Sequence, residues 1–298
     1  MDADAAQRRA LLLLIVGAVA TASNPMFVRL SDLEPGGSAF HRMFWALPLL
    51  CLWSTTQIGV PKRERTDATL PRPGDRWLLA LCGLFFAGDL TALHWSIELT
   101  AVANSILFLN AQPIYVIVGA WLLFGDRLGG KFLVSAVIAL AGAVVMVGES
   151  AKFGGERLLG DGLGIVAGLC YAGYILTASR LSARYSSPTI NLWTCTIGAP
   201  LLLCGALVSG QGVVPGSAEG WALAIALGVI AQATGQGFIV TALARLPAGF
   251  SAVALLAAPV ASALMAWVIL AEPLSAAQIG GMAVVLAGIY LAQHTRTQ

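Results

Sequence analysis

Residues 103–142 read ANSILFLNAQPIYVIVGAWLLFGDRLGGKFLVSAVIALAG, and residues 249–288 read GFSAVALLAAPVASALMAWVILAEPLSAAQIGGMAVVLAG. Aligned at an offset of 146, ten of the 40 positions are identical: Ser105/Ser251, Leu109/Leu255, Ala111/Ala257, Pro113/Pro259, Ala120/Ala266, Trp121/Trp267, Leu128/Leu274, Leu140/Leu286, Ala141/Ala287 and Gly142/Gly288. Composition alone would give about three or four in a chain so rich in Ala, Leu and Gly. Asp126 and Glu272 match in charge at equivalent positions. Weaker echoes join Arg29-Leu30-Ser31 to Arg180-Leu181-Ser182, and Pro48-Leu49-Leu50 to Pro200-Leu201-Leu202. The two stretches are copies of one unit, so the architecture is read in halves, residues 1–150 and 151–298.

Each half is too apolar to be soluble. The chain is 58% hydrophobic and only 11% charged, with 33 glycines and eight tryptophans among 298 residues, and its mean hydropathy is +0.81. Soluble domains carry about a quarter charged residues. Cutting at charged and Pro/Gly-rich breaks leaves ten stretches long enough to cross a bilayer core, which takes about 20 helical residues. They are 11–30, 36–57, 77–97, 102–124, 131–148, 160–180, 188–209, 219–243, 248–271 and 276–293. The first run follows Arg8 and Arg9 as a signal peptide would, but continues through Asn24 and Pro25 to Val28, so it is read as a retained first helix.

Five spans per half is an odd number, which sets the second half into the membrane upside down relative to the first. The predicted fold class is therefore all-α and integral to the membrane, with ten transmembrane helices as two inverted-topology five-helix repeats. With both termini on the inner side, Arg8, Arg9, Lys62, Arg63, Arg65, Arg72, Arg76, Arg127, Lys131, Arg180, Arg184, Arg245 and Arg296 lie inside, against Arg29, Lys152 and Arg157 outside. Arg42 falls inside the second span near its outer end, where it can snorkel to the interface. This bias predicts that both termini are cytoplasmic.

The stretch Glu98-Leu99-Thr100-Ala101-Val102-Ala103-Asn104-Ser105 leading to Pro113, the helix end at Gly125-Asp126-Arg127-Leu128 and the following Leu140-Ala141-Gly142 resemble the EamA repeat of the drug/metabolite transporter superfamily. Pro259, Ala271-Glu272-Pro273-Leu274 and Leu286-Ala287-Gly288 repeat it, with Asp126 in place of the usual Glu of the first half. The resemblance covers nearly the whole chain and, within the family, is greatest to the YddG-type aromatic amino acid exporters. It implies a secondary transporter around a central cavity that exports aromatic and other neutral amino acids or small metabolites. A multidrug or organic-cation exporter of the same fold is the alternative.

Polar groups at membrane depth are costly, so each is a candidate site. Asp89 lies about 18 Å into the third span at 1.5 Å per residue, a position for a substrate ammonium, a proton or an interhelical bond. His94 is about 140° around that helix from Asp89 but shares a face with Glu98, as a gate or a simple interfacial pair. Pro113 and Pro259 each fall about 16 Å into their helices, and paired breaks at matching depth point to a binding site. Gln112 shares a face with Ser105, Phe108 and Tyr115, whereas Asn110 is about 200° away on the same helical wheel. Only one of these faces is expected to dominate a cavity wall, with Gln112 favoured. Tyr171 with Tyr174, Gln232 with Gln236, and Asn24 supply stacking surfaces and hydrogen bonds for a zwitterion, or equally ordinary helix packing. Gly164-x-x-x-Gly168 suits close helix packing.

Several chemistries find no support. Gly125 to Lys131 has P-loop spacing, but Phe132 stands where a Ser/Thr is needed, so an ATP-driven pump is disfavoured. An intramembrane enzyme, the third reading, lacks H-E-x-x-H, a G-x-S-G serine and a second midplane aspartate beside Asp89. A channel or receptor-like protein stays open. The five cysteines show no C-x-x-C spacing and are read as buried packing residues. Expected partners are a small-molecule substrate and membrane lipid, with no nucleic acid, no cofactor and no metal; a monomer is expected, with an oligomer open.

Overall fold

A computed structural model of the chain describes residues 2–56, 72–126, 128–148 and 158–296. Lys62, Arg63, Arg65, Arg127, Lys152 and Arg157, all used in the charge bias, lie outside the described residues. The described residues form helices α1 (Asp2–Ala22), α2 (Asn24–Leu30), α3 (Pro35–Phe44), α4 (Ala46–Thr56), α5 (Arg76–Leu99), α6 (Val102–Asn110), α7 (Gln112–Phe124), α8 (Gly130–Gly148), α9 (Leu158–Leu181), α10 (Ser187–Val208), α11 (Ala218–Ala226), α12 (Gly237–Leu243), α13 (Ala248–Ala254), α14 (Ala257–Leu270) and α15 (Ala276–Arg296). No strand occurs among the described residues. Between α11 and α12 runs a π-helical stretch, Leu227–Gln236, within which Thr234 Oγ1 donates to the carbonyl of Val229 five residues back.

Among the described residues, nine segments are long and apolar enough to cross a membrane. The remaining expected span is present but broken at Trp45 into α3 and α4, ten and eleven residues long. Pro48 sits in the first turn of α4, where its missing N–H costs no helical bond. Ser23 divides α1 from α2 in the same way, with Pro25 at the start of α2.

The repeat is visible in the helix ends. α6 and α13 begin at Val102 and Ala248, α7 and α14 end at Phe124 and Leu270, and α8 and α15 begin at Gly130 and Ala276, each pair 146 residues apart. Both copies close their long helix on a left-handed residue, Gly125 (φ 73°) and Ala271 (φ 54°). In each, the next N–H returns six residues to a carbonyl: Asp126 to Ala120 at 3.4 Å and Glu272 to Ala266 at 3.3 Å. A left-handed residue at a helix C-terminus normally recruits glycine.

The Cα packing divides into two compact units, each drawing on both halves of the sequence. The first comprises Met1–Ala87 and Thr177–Leu246. In it α1 lies on the π-helical stretch and α12, where a Cβ on Gly17 would come within 2.8 Å of the Gly235 carbonyl, and α3 and α4 pack on α10. A polar clamp fixes α3. Asp32 accepts from Gly216 N at 3.0 Å and Ser217 Oγ at 2.9 Å, Gln211 Oε1 accepts from Gly36 N at 2.8 Å, and Glu34 Oε2 from Gly212 N at 3.2 Å. His41 Nε2 is 2.8 Å from the Val213 carbonyl and Nδ1 is 3.1 Å from Trp45 Nε1. A carbonyl only accepts and an indole N–H only donates, so His41 is held as the neutral tautomer protonated on Nε2. Elsewhere in this unit Asp75 accepts from Arg184 Nη1 at 3.0 Å and from the Tyr185 hydroxyl at 2.8 Å.

The second unit comprises Gly88–Leu176 and Pro247–Gln298. Its axis is the α8–α15 pair, which packs almost backbone to backbone: a Cβ on Gly142 would meet Val285 N at 2.5 Å, one on Gly281 would meet Met146 N at 2.8 Å, and one on Gly288 would meet Ala139. As residue numbers rise along α8 the partners fall along α15, so the helices are antiparallel. The contacts are also reciprocal. Gly142 and Ala139 are the repeat equivalents of Gly288 and Val285, so each copy presents the same surface to the other, as in an isologous dimer.

Two expectations about single residues are corrected here. Arg42 does not snorkel: it is 7% exposed and turned into the protein interior. Of the cysteines, Cys82 and Cys195 are buried, Cys170 is half-buried, and Cys51 and Cys204 face outward from the helices.

Candidate functional site

Within the second unit the expected helix break is present, and it changes the site. α6 ends at Asn110, Ala111 takes ψ −3°, and α7 starts at Gln112 with Pro113 in its first turn. Ala111 N donates to both the Leu107 and Phe108 carbonyls, at 3.1 and 3.2 Å, tightening the turn before the proline. Placing Asn110 and Gln112 on opposite faces assumed one continuous helix. Because the helix is broken, both side chains are buried, 8% and 6% exposed. Asn110 Nδ2 and Gln112 Oε1 have no hydrogen-bond partner. An unmet donor and an unmet acceptor therefore lie two residues apart at a break in an apolar helix, where each costs about 1–3 kcal/mol unless something fills it.

The second copy breaks at the equivalent depth, between α13 and α14, with Pro259 in the first turn of α14. Its residues at the Asn110 and Gln112 positions are Leu256 and Ala258. Both copies carry the break, and only the first carries polar side chains at these two positions. Ser251 marks the same divergence: its partner copy Ser105 is hydrogen-bonded, whereas Ser251 Oγ is buried without a partner.

α9 closes over the polar break. A Cβ on Gly168 would lie 2.8 Å from the Phe108 carbonyl and the Tyr115 ring, and one on Gly164 would lie 3.2 Å from Phe108 Cβ. The small-residue spacing thus serves close packing. One turn further, Tyr174 is fully buried and Tyr171 half-buried, their ring centroids 5.9 Å apart at 32°. Asp89 is 4% exposed on α5, His94 is half-buried with its ring 6.2 Å from that of Trp95, and Glu98 is exposed.

A polar network in this unit went unread in the sequence. Asp161, in the first turn of α9, accepts from Thr100 Oγ1 at 2.7 Å and from the buried Asn104 Nδ2 at 2.9 Å. Ser96 Oγ is 2.7 Å from both the Gly160 carbonyl and Ser105 Oγ. Ser96 Oγ donates toward both acceptors, the Gly160 carbonyl and the Ser105 hydroxyl oxygen. A helix start suits an acidic side chain such as Asp161, and the network pins the ends of α5, α6 and α9 together. The spacing signal was present, Asn104 and Ser105 beside Thr100, but Asp161 lies far along the chain from Asn104 and nothing local pairs them.

A cavity of about 400 Å³ lies elsewhere in this unit, lined by Ile117, Val118, Trp121, Asp126, Leu128 and Leu133. None of the candidate residues lines it, and Trp121 is 57% exposed.

In the first unit Gln232 and Gln236 are both buried, 0% and 1% exposed, on the π-helical stretch, and Asn24 is half-buried at the start of α2. Gln232 Oε1 accepts from Arg42 Nε at 3.0 Å, and the Arg42 guanidinium carbon lies 5.3 Å from the centre of the Phe86 ring, a cation–π distance. Of the candidate residues, Asn24, Gln232 and Gln236 thus belong to this unit, and Asp89, His94, Asn110, Gln112, Pro113, Tyr171, Tyr174 and Pro259 to the other. The described residues hold no group of three or more His, Cys, Asp or Glu side chains that could bind a metal ion.

Comparison with known proteins adds a family. The EamA-like transporter family matches residues 8–148 and again 158–293. An uncharacterized transporter of Archaeoglobus fulgidus is 28% identical over 209 residues, 67% of each chain. A second from the same organism is 26% identical over 281 residues, 94% of each. A protein of Streptantibioticus cattleyicolor described as a probable terminal-alkyne amino-acid exporter is 26% identical over 227 residues, 74% of each. A solved crystal structure superposes with a TM-score of 0.82 over 97% of this chain and 98% of that one at 19% identity, which shows a shared fold alone.

Proposed function

Since the chain belongs to the EamA-like transporter family, we propose that it exports small amino acids and related metabolites, aromatic and other neutral amino acids foremost, across the bacterial cytoplasmic membrane by alternating access. The observation that carries this reading is the break at Ala111, with Asn110 and Gln112 buried on either side of it and polar atoms unmet. A zwitterion supplies what these groups lack: a carboxylate for the Asn110 N–H and an ammonium for the Gln112 carbonyl oxygen. Tyr171 and Tyr174 offer an aromatic surface in the same unit, and the buried Asp89 favours a cationic group or a proton. Asn24, Gln232 and Gln236 are the polar candidates of the other unit. His94 is assigned a gating position.

Alternating access rests on the duplication. Two five-helix repeats, residues 1–150 and 151–298, inserted in opposite senses with both termini cytoplasmic, have two mirrored packings of similar energy. The reciprocal antiparallel α8–α15 contact supports that arrangement. The amino acid substrate is supported by the similarity to a relative named for amino-acid export.

The test is counterflow in proteoliposomes preloaded with unlabelled phenylalanine, tryptophan, threonine, methionine or a cationic drug, following entry of the same labelled compound. Saturable accumulation of amino acids, lost in Gln112→Ala and in Asp89→Asn, is expected. Counterflow of the drug alone replaces the amino acid reading with organic-cation export, and counterflow of nothing overturns the carrier mechanism.

A further inference from the structure

The cavity beside α7 takes in none of the transport candidates, yet its walls have a consistent chemistry. Ile117, Val118 and Trp121 of α7, Leu128 of the following turn and Leu133 of α8 are apolar, and Asp126 is the one acidic side chain among them. Its volume of about 400 Å³ falls within the range of small-molecule sites, about 300–1,000 Å³. Val118, Trp121 and Leu133 are exposed on segments long and apolar enough to cross a membrane, so the cavity opens toward lipid. Residues 117–121 lie about 4–10 Å in from the end of α7 at Phe124, at 1.5 Å per residue. That is the depth of the boundary between headgroups and acyl chains, where tryptophan is favoured. Asp126 lies past the helix end, toward the headgroups.

Asp126 is exposed, and among the described residues its side chain makes no hydrogen bond or ion pair. Lys131 stands two places before Leu133 on α8, about 200° around the helix from that wall residue, so its charge is turned away from the cavity. The second copy sets a contrast. There the Asp126 position is Glu272, which is engaged within the chain. The turn into α15 is closed by two side chains: Gln278 Oε1 accepts from Ser275 N at 2.9 Å, and Ser275 Oγ accepts from Gln278 N at 3.1 Å. The equivalents in the first copy are Gly129 and Phe132, which cannot form that pair. A Cβ on Gly129 or Gly130 would meet nothing within 4 Å. The first copy leaves open the turn that the second closes with its own side chains.

We infer that this cavity is a binding site for a phospholipid with a primary ammonium headgroup, phosphatidylethanolamine, whose ammonium donates to Asp126 while an acyl chain lies against Trp121, Val118 and Leu133. An apolar wall at that depth selects a molecule already in the membrane over a water-soluble cation. The unpartnered carboxylate selects a cationic N–H donor. It repels a headgroup that is anionic only, and a choline headgroup brings the charge without the hydrogen bond. The inference goes beyond the carrier reading, and neither needs the other.

The experiment titrates the purified full chain in mixed micelles with phosphatidylethanolamine, phosphatidylcholine or phosphatidylglycerol, each carrying brominated acyl chains that quench a tryptophan they touch. The difference between the parent and Trp121→Phe isolates Trp121. Its half-maximal quenching is expected at a mole fraction of phosphatidylethanolamine about 3- to 5-fold lower than that of either other lipid, the size of a partly exposed ion pair. Asp126→Asn should remove that preference, Asp126→Glu should keep it, and Glu272→Gln should leave it unchanged. Equal quenching by the three lipids, a preference for phosphatidylglycerol or phosphatidylcholine, or a preference that survives Asp126→Asn each overturns the site. Displacement of the brominated phosphatidylethanolamine by dodecylamine at a lower mole fraction than by the unlabelled lipid would give the cavity to a single-chain cation and overturn the lipid. None of these readouts involves transport, so their failure leaves the carrier mechanism to the counterflow test.

Discussion

Gly280 and Gly281 are adjacent on α15, yet an alanine should have opposite effects at the two positions. A Cβ on Gly280 meets nothing within 4 Å, whereas one on Gly281 lies 2.8 Å from both the Gly142 carbonyl and Met146 N on α8. Ordinary contact begins near 3.4 Å, so α8 and α15 must separate by about 0.6 Å to admit the methyl, and the obstacle is backbone, which has no rotamer to change. Overpacking of this kind costs about 1–3 kcal/mol, against a gain of about 0.5–1 kcal/mol from removing a helical glycine. Gly280→Ala keeps the gain alone. The expected result is that Gly281→Ala destabilises by about 0.5–2 kcal/mol and Gly280→Ala stabilises by about 0.5–1 kcal/mol. SDS-induced unfolding of the purified protein in mixed micelles, followed by tryptophan fluorescence, reads both. The same sign for both variants, or a Gly281→Ala protein indistinguishable in stability from the parent, would refute the backbone-contact argument.

The two left-handed helix ends give a second pair of opposite effects. Ala271 holds φ 54° where its repeat equivalent is Gly125, at a cost of about 1 kcal/mol for a side chain, so Ala271→Gly should raise stability by up to about that amount and Gly125→Ala should lower it similarly; the same SDS titration checks both, and a loss on Ala271→Gly would contradict the strain. Tyr185, outside the spanning helices, has its phenol held above the ordinary tyrosine range, chiefly by burial and further by the Asp75 carboxylate it donates to, with the Arg72 N–H pulling the other way. A raised folded pKa means its contribution is complete below about pH 10 and is lost as pH climbs beyond that value. Tyr185→Phe should therefore flatten the alkaline fall in stability, and a wild-type minus variant phenolate absorbance titration should rise only above about pH 10; a rise at or below that pH would exclude the burial argument.

Most of the fold was written in local signals. Charged and Pro/Gly-rich breaks delimit the outer ends of the α6–α7 span, of α8 and of the α13–α14 span to within a residue or two, because a bilayer-length apolar run has few alternatives. The interruptions were less legible. Pro48 and Pro200 stand in echoing triplets, but the helix is broken near the first and runs unbroken through the second, α10; a proline alone does not say which. The site was legible as a set of residues and illegible as geometry. Helical-wheel angles set Asn110 against Gln112 because they presume a continuous helix, and the turn at Ala111 removes that premise. Arg42 was read from its depth alone, though Ser38, His41 and Arg42 recur at helical spacing and are all buried on α3, a stripe that already pointed inward. Asp161 and Gln232 were beyond reach in a different way. Their partners lie 57 and 190 residues distant, and only the folded chain brings them together.

The π-helical stretch Leu227–Gln236 works as a reserve of thread. Its wider turn holds more residues than an α-turn, at poorer hydrogen-bond geometry, in a helix continuous with α11 and α12. Rewinding even one turn to the α register would screw α12 about its own axis while exchanging one backbone bond for another, so the backbone bonds lost are regained within the same helix. Gln232 and Gln236 lie on that thread, and a rotation of this kind would turn their amides about the helix axis.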